Sequence, residues 1–254
     1  MQISTIKNNI INKILPVLFW ILIWQLISMS INQEILIVSP ISVMKTLVEL
    51  VQKINFWNAI CFSFSRIIIG FVFGTITGTM LAYLSYKNVT IRILINPIMS
   101  VIKATPVVSF IIFALIWISS KNLSILIAFL MVLPIIYNSV YQGIINVDKK
   151  MIEMSKVFSI KWYKRLIYIY IPEILPFFIS ATSVALGFSW KSGIAAEIIG
   201  IPSGSIGEKL YTAKLFLNTK EIFAWTVVII IISVIFEKIF MRLVKLLEAK
   251  WKYN

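Results

Sequence analysis

Histidine is absent from this sequence, and cysteine occurs once, at Cys61. One cysteine cannot form an intrachain disulfide. Without histidine, the usual ligand sets for zinc and haem and the imidazole bases of nucleophilic catalysis are missing. Charge is sparse: 13% of the 254 residues are Asp, Glu, Lys or Arg, where a soluble domain carries about 25%. Carboxylates are scarcest, ten against 24 Lys and Arg, and they are scattered along the chain. No G-x4-G-K-[ST] stretch occurs, so the chain has no phosphate-binding loop of that kind. These gaps argue against an enzyme and leave no catalytic residue and no metal site to nominate. What is abundant is apolar: 59% of the residues are hydrophobic and the mean hydropathy is +0.94. A fold bounded by water alone cannot hide so much apolar surface. The chain therefore reads as an all-α integral membrane protein. Its net charge of +14 reads as Lys and Arg held on the cytoplasmic side rather than as a nucleic-acid footprint.

A spanning helix needs about 20 mostly apolar residues, and six stretches qualify: 14–29, 67–84, 97–118, 123–140, 174–190 and 222–240. The third contains Lys103 and Pro106. No small-x-small cleavage site comes after the first, which is read as a retained span. With the N-terminus inside, fifteen of the 24 Lys and Arg fall in cytoplasmic segments and eight outside. That bias puts both termini in the cytoplasm, as an even number of spans requires.

Between the first two spans, Ser39-Pro40 is a plausible helix start, an N-cap followed by proline at the first helical position. Val43, Leu47, Leu50, Val51, Ile54 and Trp57 then fall on one face of an amphipathic helix. Gly70, Gly74 and Gly78 share a face of the second span, where another backbone can approach, most simply within the same subunit. The polar interruption at 142–172 is too long for a tight connection. Asp148 can cap a short helix with Met151, Ile152 and Phe158 as apolar contacts, and Ser159 can cap a second one running to Pro172. Read alone, this loop fits docking on a protein and a basic hairpin on anionic lipid equally well. Beyond the fifth span, 192–201 is apolar but too short to cross, which suits a re-entrant segment or the lining of an outer pore mouth. Lys191 just before it and Glu197 within it are candidates for the translocation path, or partners of each other, with Lys191 alternatively reaching the interface. Trp190 is a further path candidate, although an interfacial anchor is the plainer reading.

The same loop carries a motif. It reads Glu153-Met154-Ser155, three residues, Ser159, nine residues, then Ile169-Tyr170-Ile171-Pro172. This resembles the E-A-A-x3-G-x9-I-x-L-P signature of permease subunits in bacterial binding-protein-dependent ABC importers. Every spacing is kept; the two alanines, the glycine and the leucine are replaced. The segments SFSRIIIGFVFGTITG, NPIMSVIKATPVVSF, ALGFSWKSGIAAEIIG and SIGEKLYTAK extend the resemblance to the nitrate/sulfonate/taurine branch, over roughly Ser39 to Trp251.

The resemblance implies a six-span, MetI-like type I importer fold: a tail and first span over 1–38, then a permease domain over 39–254 with its core at about 57–245. It also implies the partners: a second permease copy, two cytoplasmic ABC ATPases that hold ATP and Mg, and an outer solute-binding protein. The chain itself would hold no cofactor, and its place would be the bacterial cytoplasmic membrane. Met151, Ile152, Glu153, Ser155, Phe158 and Ser159 would form the coupling helix that seats in the ATPase. Glycine readily adopts positive φ and serine does so at a cost, so Ser159 in its place implies either negative φ with a capping role, the favoured reading, or a strained turn. The alternative of another class is an ion-coupled secondary transporter working without an ATPase. It calls for ionisable groups at mid-membrane, and only Lys103 lies within a span.

Overall fold

The computed structural model describes the backbone of residues 2–31 and 33–252, with side chains for 15–31, 33–244 and 246. The side chains of Lys7, Lys13, Lys245, Lys250 and Lys252, counted for orientation, lie outside the described residues. Among the described residues every regular element is helical: α1 (Gln2–Ile31), α2 (Pro40–Val51), α3 (Ile54–Lys87), α4 (Val89–Ala104), α5 (Val107–Ala114), α6 (Ser120–Ile145), α7 (Lys149–Val157), α8 (Trp162–Arg165), α9 (Ile171–Gly200), α10 (Ile206–Leu215) and α11 (Thr219–Lys252). A π-helical turn, Leu166–Tyr170, joins α8 to α9. The chain forms two units, residues 1–58 with 209–229 and residues 59–208 with 230–254.

In the first unit α2 starts as its sequence dictates. Ser39 Oγ accepts the Ser42 N–H at 3.2 Å, and Pro40 takes the position where a missing N–H costs nothing. Val43 and Leu50 are buried, but the helix stops at Val51. Ile54 and Trp57, expected on the same face, belong to α3 and are exposed. Trp57 is tied back by its indole N–H, which donates to the Val51 carbonyl at 3.0 Å. Aromatic pairs join α11 to α1 and to the start of α3: Trp24 on Phe223 and Phe56 on Trp225. An ion pair of 2.6 Å between Glu34 and Lys220 closes the loop that precedes α2.

The second unit is built around α6. Its most apolar stretch is 56% buried, against 33% for α3 and 28% for the helix that runs from Trp162 to Gly200. Phe71, Val132, Ile136, Tyr137, Ala185 and Leu186 form the centre of the core. The three glycines of α3 are the reason α3 lies so close to α6. A Cβ on Gly70 would collide with the Ile125 carbonyl, and one on Gly74 would sit 2.8 Å from Val132 Cβ. The glycine face is thus used within the subunit. Tyr137 ties three helices together: its hydroxyl donates to Asn96 Oδ1 of α4 at 2.8 Å and can accept from the Ser85 hydroxyl of α3 at 3.1 Å.

Among the described residues three helices are long and apolar enough to cross a membrane: Ile54–Lys87, Ser120–Ile145 and Trp162–Gly200. The expected third span is not one helix. It breaks at Thr105-Pro106 into α4 and α5, which meet at 101°. Pro106 supplies no N–H and forces Thr105 into an extended conformation (φ −79°, ψ 129°). If that bent pair counts as one span, four are recognised by length and composition. The expected first and last spans lie within α1 and α11. Residues 192–200 are not a separate segment: α9 continues unbroken to Gly200 and ends at Ile201 (φ 47°).

Candidate functional site

The loop that carries the motif forms a short helix and then a turn. Asp148 caps α7 as its sequence predicts, its carboxylate accepting the Lys150 N–H at 2.8 Å. The helix ends differently from expectation. Ser159 has φ 52° and does not cap α8; Lys161 holds the N-cap position of that helix with no side-chain hydrogen bond. The Ile160 N–H reaches the Ser155 carbonyl at 2.9 Å, and the Ser159 N–H reaches that of Lys156 at 3.0 Å. This pair of bonds defines the Schellman ending, which requires a left-handed residue at Ser159. The backbone role of the family's glycine is therefore retained, and serine bears the steric cost, about 1 kcal/mol.

Around α7 the nominated residues divide. Ser155 is fully buried, its hydroxyl bonded to the Ile152 carbonyl, and Ile152 is half-buried, so these two face their own subunit. Met151, Met154 and Phe158, spaced three and four residues apart, form an exposed apolar stripe. Val157 and Phe158 are 80% and 72% exposed. Glu153 is exposed on the far side of that stripe. Met154, Val157 and Trp162 are absent from the residues nominated by sequence. The stripe is readable from spacing, but only the burial of Ile152 and Ser155 shows which face is free.

The loop joins α9 through the π turn, where the motif's Ile169-Tyr170-Ile171-Pro172 falls. Pro172 has no N–H to give the carbonyl four residues back and crowds it. The ladder widens by one residue, and the Ile171 N–H bonds to the Leu166 carbonyl. The helix therefore does not stop at Pro172, as expected, but continues through it.

Glu197, nominated for the path, is fully buried and does not meet Lys191. Six residues apart, the two point about 120° away from each other around α9, and Lys191 is exposed. Glu197 Oε2 accepts the Ser63 hydroxyl at 2.6 Å and the Gly207 N–H at 3.3 Å. Ser63 Oγ in turn accepts the Ile206 N–H at 3.0 Å, and Ser205 Oγ the Glu208 N–H at 2.9 Å. Three free amides at the start of α10 are thereby satisfied, one by each oxygen. The carboxyl oxygen also sits at the positive end of the helix, where an acceptor is favoured. Gly207 permits this arrangement, because a Cβ there would overlap Glu197 and come within 2.6 Å of the Ile198 nitrogen. Ser63 and Gly207 carry no sequence signal, whereas Ser205-Ile-Gly-Glu208 reads as a capping box. Trp190 is buried against Phe64 of α3, with ring centroids 5.9 Å apart, and so is not an interfacial anchor. Lys103 is exposed in the last turn of α4. Arg66 donates to the Lys121 carbonyl at 2.6 Å and lies over the Phe62 ring.

Comparison with known proteins agrees with these features. A Bacillus subtilis (strain 168) protein that carries the name aliphatic sulfonates transport permease protein SsuC is 24% identical, over 91% of this chain and 84% of its own. The taurine transport system permease protein TauC of Escherichia coli K12 is 22% identical over 84% and 80%. Among solved structures, a chain of the MetNI methionine ABC transporter in an inward-facing conformation shares the fold. Its TM-score is 0.55 at 16% identity, covering 74% of this chain and 92% of that one. The family model for binding-protein-dependent transport system inner membrane components matches residues 70–253, from the glycine face of α3 through the loop and the buried carboxylate to the end of α11. With its motif seated on a capped, exposed helix and most of its length matched, the chain belongs to that family, the membrane permeases of ABC importers.

Proposed function

We propose that two copies of this chain form the pathway for a small solute across the bacterial cytoplasmic membrane, each crossing six times with both ends inside. Cytoplasmic ABC ATPases drive the pair, and an extracytoplasmic binding protein delivers the solute. The observation that supports this reading best is the exposed stripe Met151–Met154–Phe158 on a helix whose other face is buried. Such a stripe fits a hydrophobic cleft in a partner, and Glu153, exposed on the far side of it, offers a separate charged contact. Movement of the ATPases would pass from α7 through α8 into the Trp162–Gly200 helix, which has no break at Pro172 to absorb it. The solute class is a small sulfonate, taurine, nitrate or vitamin precursor; the names of the two reported relatives favour sulfonate and taurine. Lys191, exposed at the outer end of α9, is the charged candidate for meeting it. The buried positions of Trp190 and Glu197 suit shaping the wall better than contacting the solute.

The test is reconstitution with the ATPase and binding protein encoded beside this chain. Glu153→Lys is expected to abolish solute-stimulated ATP hydrolysis while membrane insertion and thermal stability stay unchanged. Full stimulation in the variant would remove the coupling role. Uptake driven by an ion gradient with no nucleotide present would favour the secondary-transporter alternative.

A further inference from the structure

In the second unit a cavity of about 650 Å³ opens between the last turns of α3, the end of α6 and the π turn that leads into α9. Its inner walls are apolar, with Ile144, Leu166, Ile174 and Phe178 prominent. Its charged groups are two cations, Lys87 and Arg165; the other polar groups are the hydroxyls of Thr79, Tyr83, Tyr86 and Tyr170 and the Trp162 indole, and no carboxylate lines it. Arg165 Nε is shielded from solvent and has no hydrogen-bond partner. A guanidinium N–H cannot be relieved by deprotonation, so an unpaired one calls for an acceptor.

These features select a ligand chemistry. Two fixed cations without a neighbouring carboxylate call for an anion. The apolar depth calls for hydrocarbon, and the position at the ends of α3 and α6 is where headgroups begin. We propose that this cavity binds an anionic phospholipid, its phosphate on Arg165 and Lys87 and the upper part of an acyl chain against Ile144, Ile174 and Phe178. A free anion would leave the apolar walls unused, and a zwitterionic lipid would bring its own cation to a site that already holds two. The lipid would bridge the end of α3 to Arg165 at the root of the motif loop. It would thus brace the joint through which the loop acts, in the inner leaflet if both termini are cytoplasmic.

The full-length chain, purified in a non-ionic detergent and stripped of lipid, is titrated with dioleoyl phosphatidylglycerol, dioleoyl phosphatidylcholine and inorganic phosphate. Retained lipid is counted by native mass spectrometry. Phosphatidylglycerol should bind at least about ten-fold more tightly than phosphatidylcholine. Lys87→Gln and Arg165→Gln should each weaken it about five-fold and leave phosphatidylcholine unchanged, with Arg165→Lys recovering most of the loss. Lys87 is exposed, so its variant tests the charge without disturbing the core. Leu166→Trp narrows the cavity and should weaken retention with both cations in place. Equal binding of the two lipids, no effect of either charge variant, or phosphate binding at the cations without phosphatidylglycerol would each overturn the proposal. The assay contains no ATPase and no membrane sidedness, so its failure would leave the permease reading intact.

Discussion

The node around Glu197 and the tip of the 146–161 loop invert each other. At the node Glu197, two serines and the first amides of α10 are buried; Glu197 Oε2, the serine hydroxyls and those amides serve one another, while Glu197 Oε1 has no hydrogen-bond partner. At the loop tip the exposed groups are apolar, Phe158 and Val157 among them. Burying a charge without partners is costly, as is leaving large apolar side chains in water. The chain meets most of the first cost internally, through Glu197 Oε2, and leaves the second unmet. The node belongs to the fold's interior. The tip is an exposed apolar surface, the one proposed above to seat in a partner.

That contrast predicts that variants at the node lose stability and variants at the tip lose coupling. Gly207→Val should have the largest effect, more than about 3 kcal/mol, because the added methyls must separate α10 from the α9 backbone. A thermal melt of the purified chain reads it, and an unchanged midpoint would break the comparison. Glu197→Ala strips two donors of their acceptor and should cost about 2–3 kcal/mol, whereas Glu197→Gln keeps an oxygen there and should cost about 1. Equal melts for the two would mean that the acceptor is unimportant. At the other pole, Ser159→Gly should stabilise α7 by about 0.5–1 kcal/mol by removing the left-handed strain, seen as slower amide exchange at positions 159 and 160. Phe158→Ala should move the melt by less than about 0.5 kcal/mol yet reduce solute-stimulated ATP hydrolysis in the reconstituted complex.

The smallest effect belongs to the first unit. Hydrogen bonds from Lys220 and Ser42 hold the Glu34 carboxyl below its ordinary range. A depressed folded-state value stabilises the fold above the unfolded value, and that contribution is lost as pH falls through about 4 and below. Glu34→Gln should remove a slight part of the acid sensitivity, an effect that salt also screens.

The sequence expectations diverge from the structure where tertiary context decides. Asp148 and Ser39 cap their helices as their residue types predict, because capping depends on atoms within three residues. The helix across 97–118 fails at Pro106, whose effect on Thr105 is equally local, although an apolar run invites reading through it. Serine's own preference points to a cap at Ser159, yet the Schellman bonds from Ser159 and Ile160 impose a left-handed residue whatever its type. Lys191 and Glu197 look like a pair because they are close in sequence, but the helical period turns them apart. The partner of Glu197 is Ser63, 134 residues away.

By itself the sequence determined that the chain lives in a membrane, that it is helical, and that it carries an importer's signature in a basic loop. Those properties arise from composition, periodicity and spacing, which are sums over neighbours in the chain. The tertiary structure alone decided that Glu197 is a staple rather than an open charge, that the glycine face serves α6, and which side of α7 is left bare. Each of these turns on which distant backbone comes within a few ångströms, and no local pattern encodes that distance.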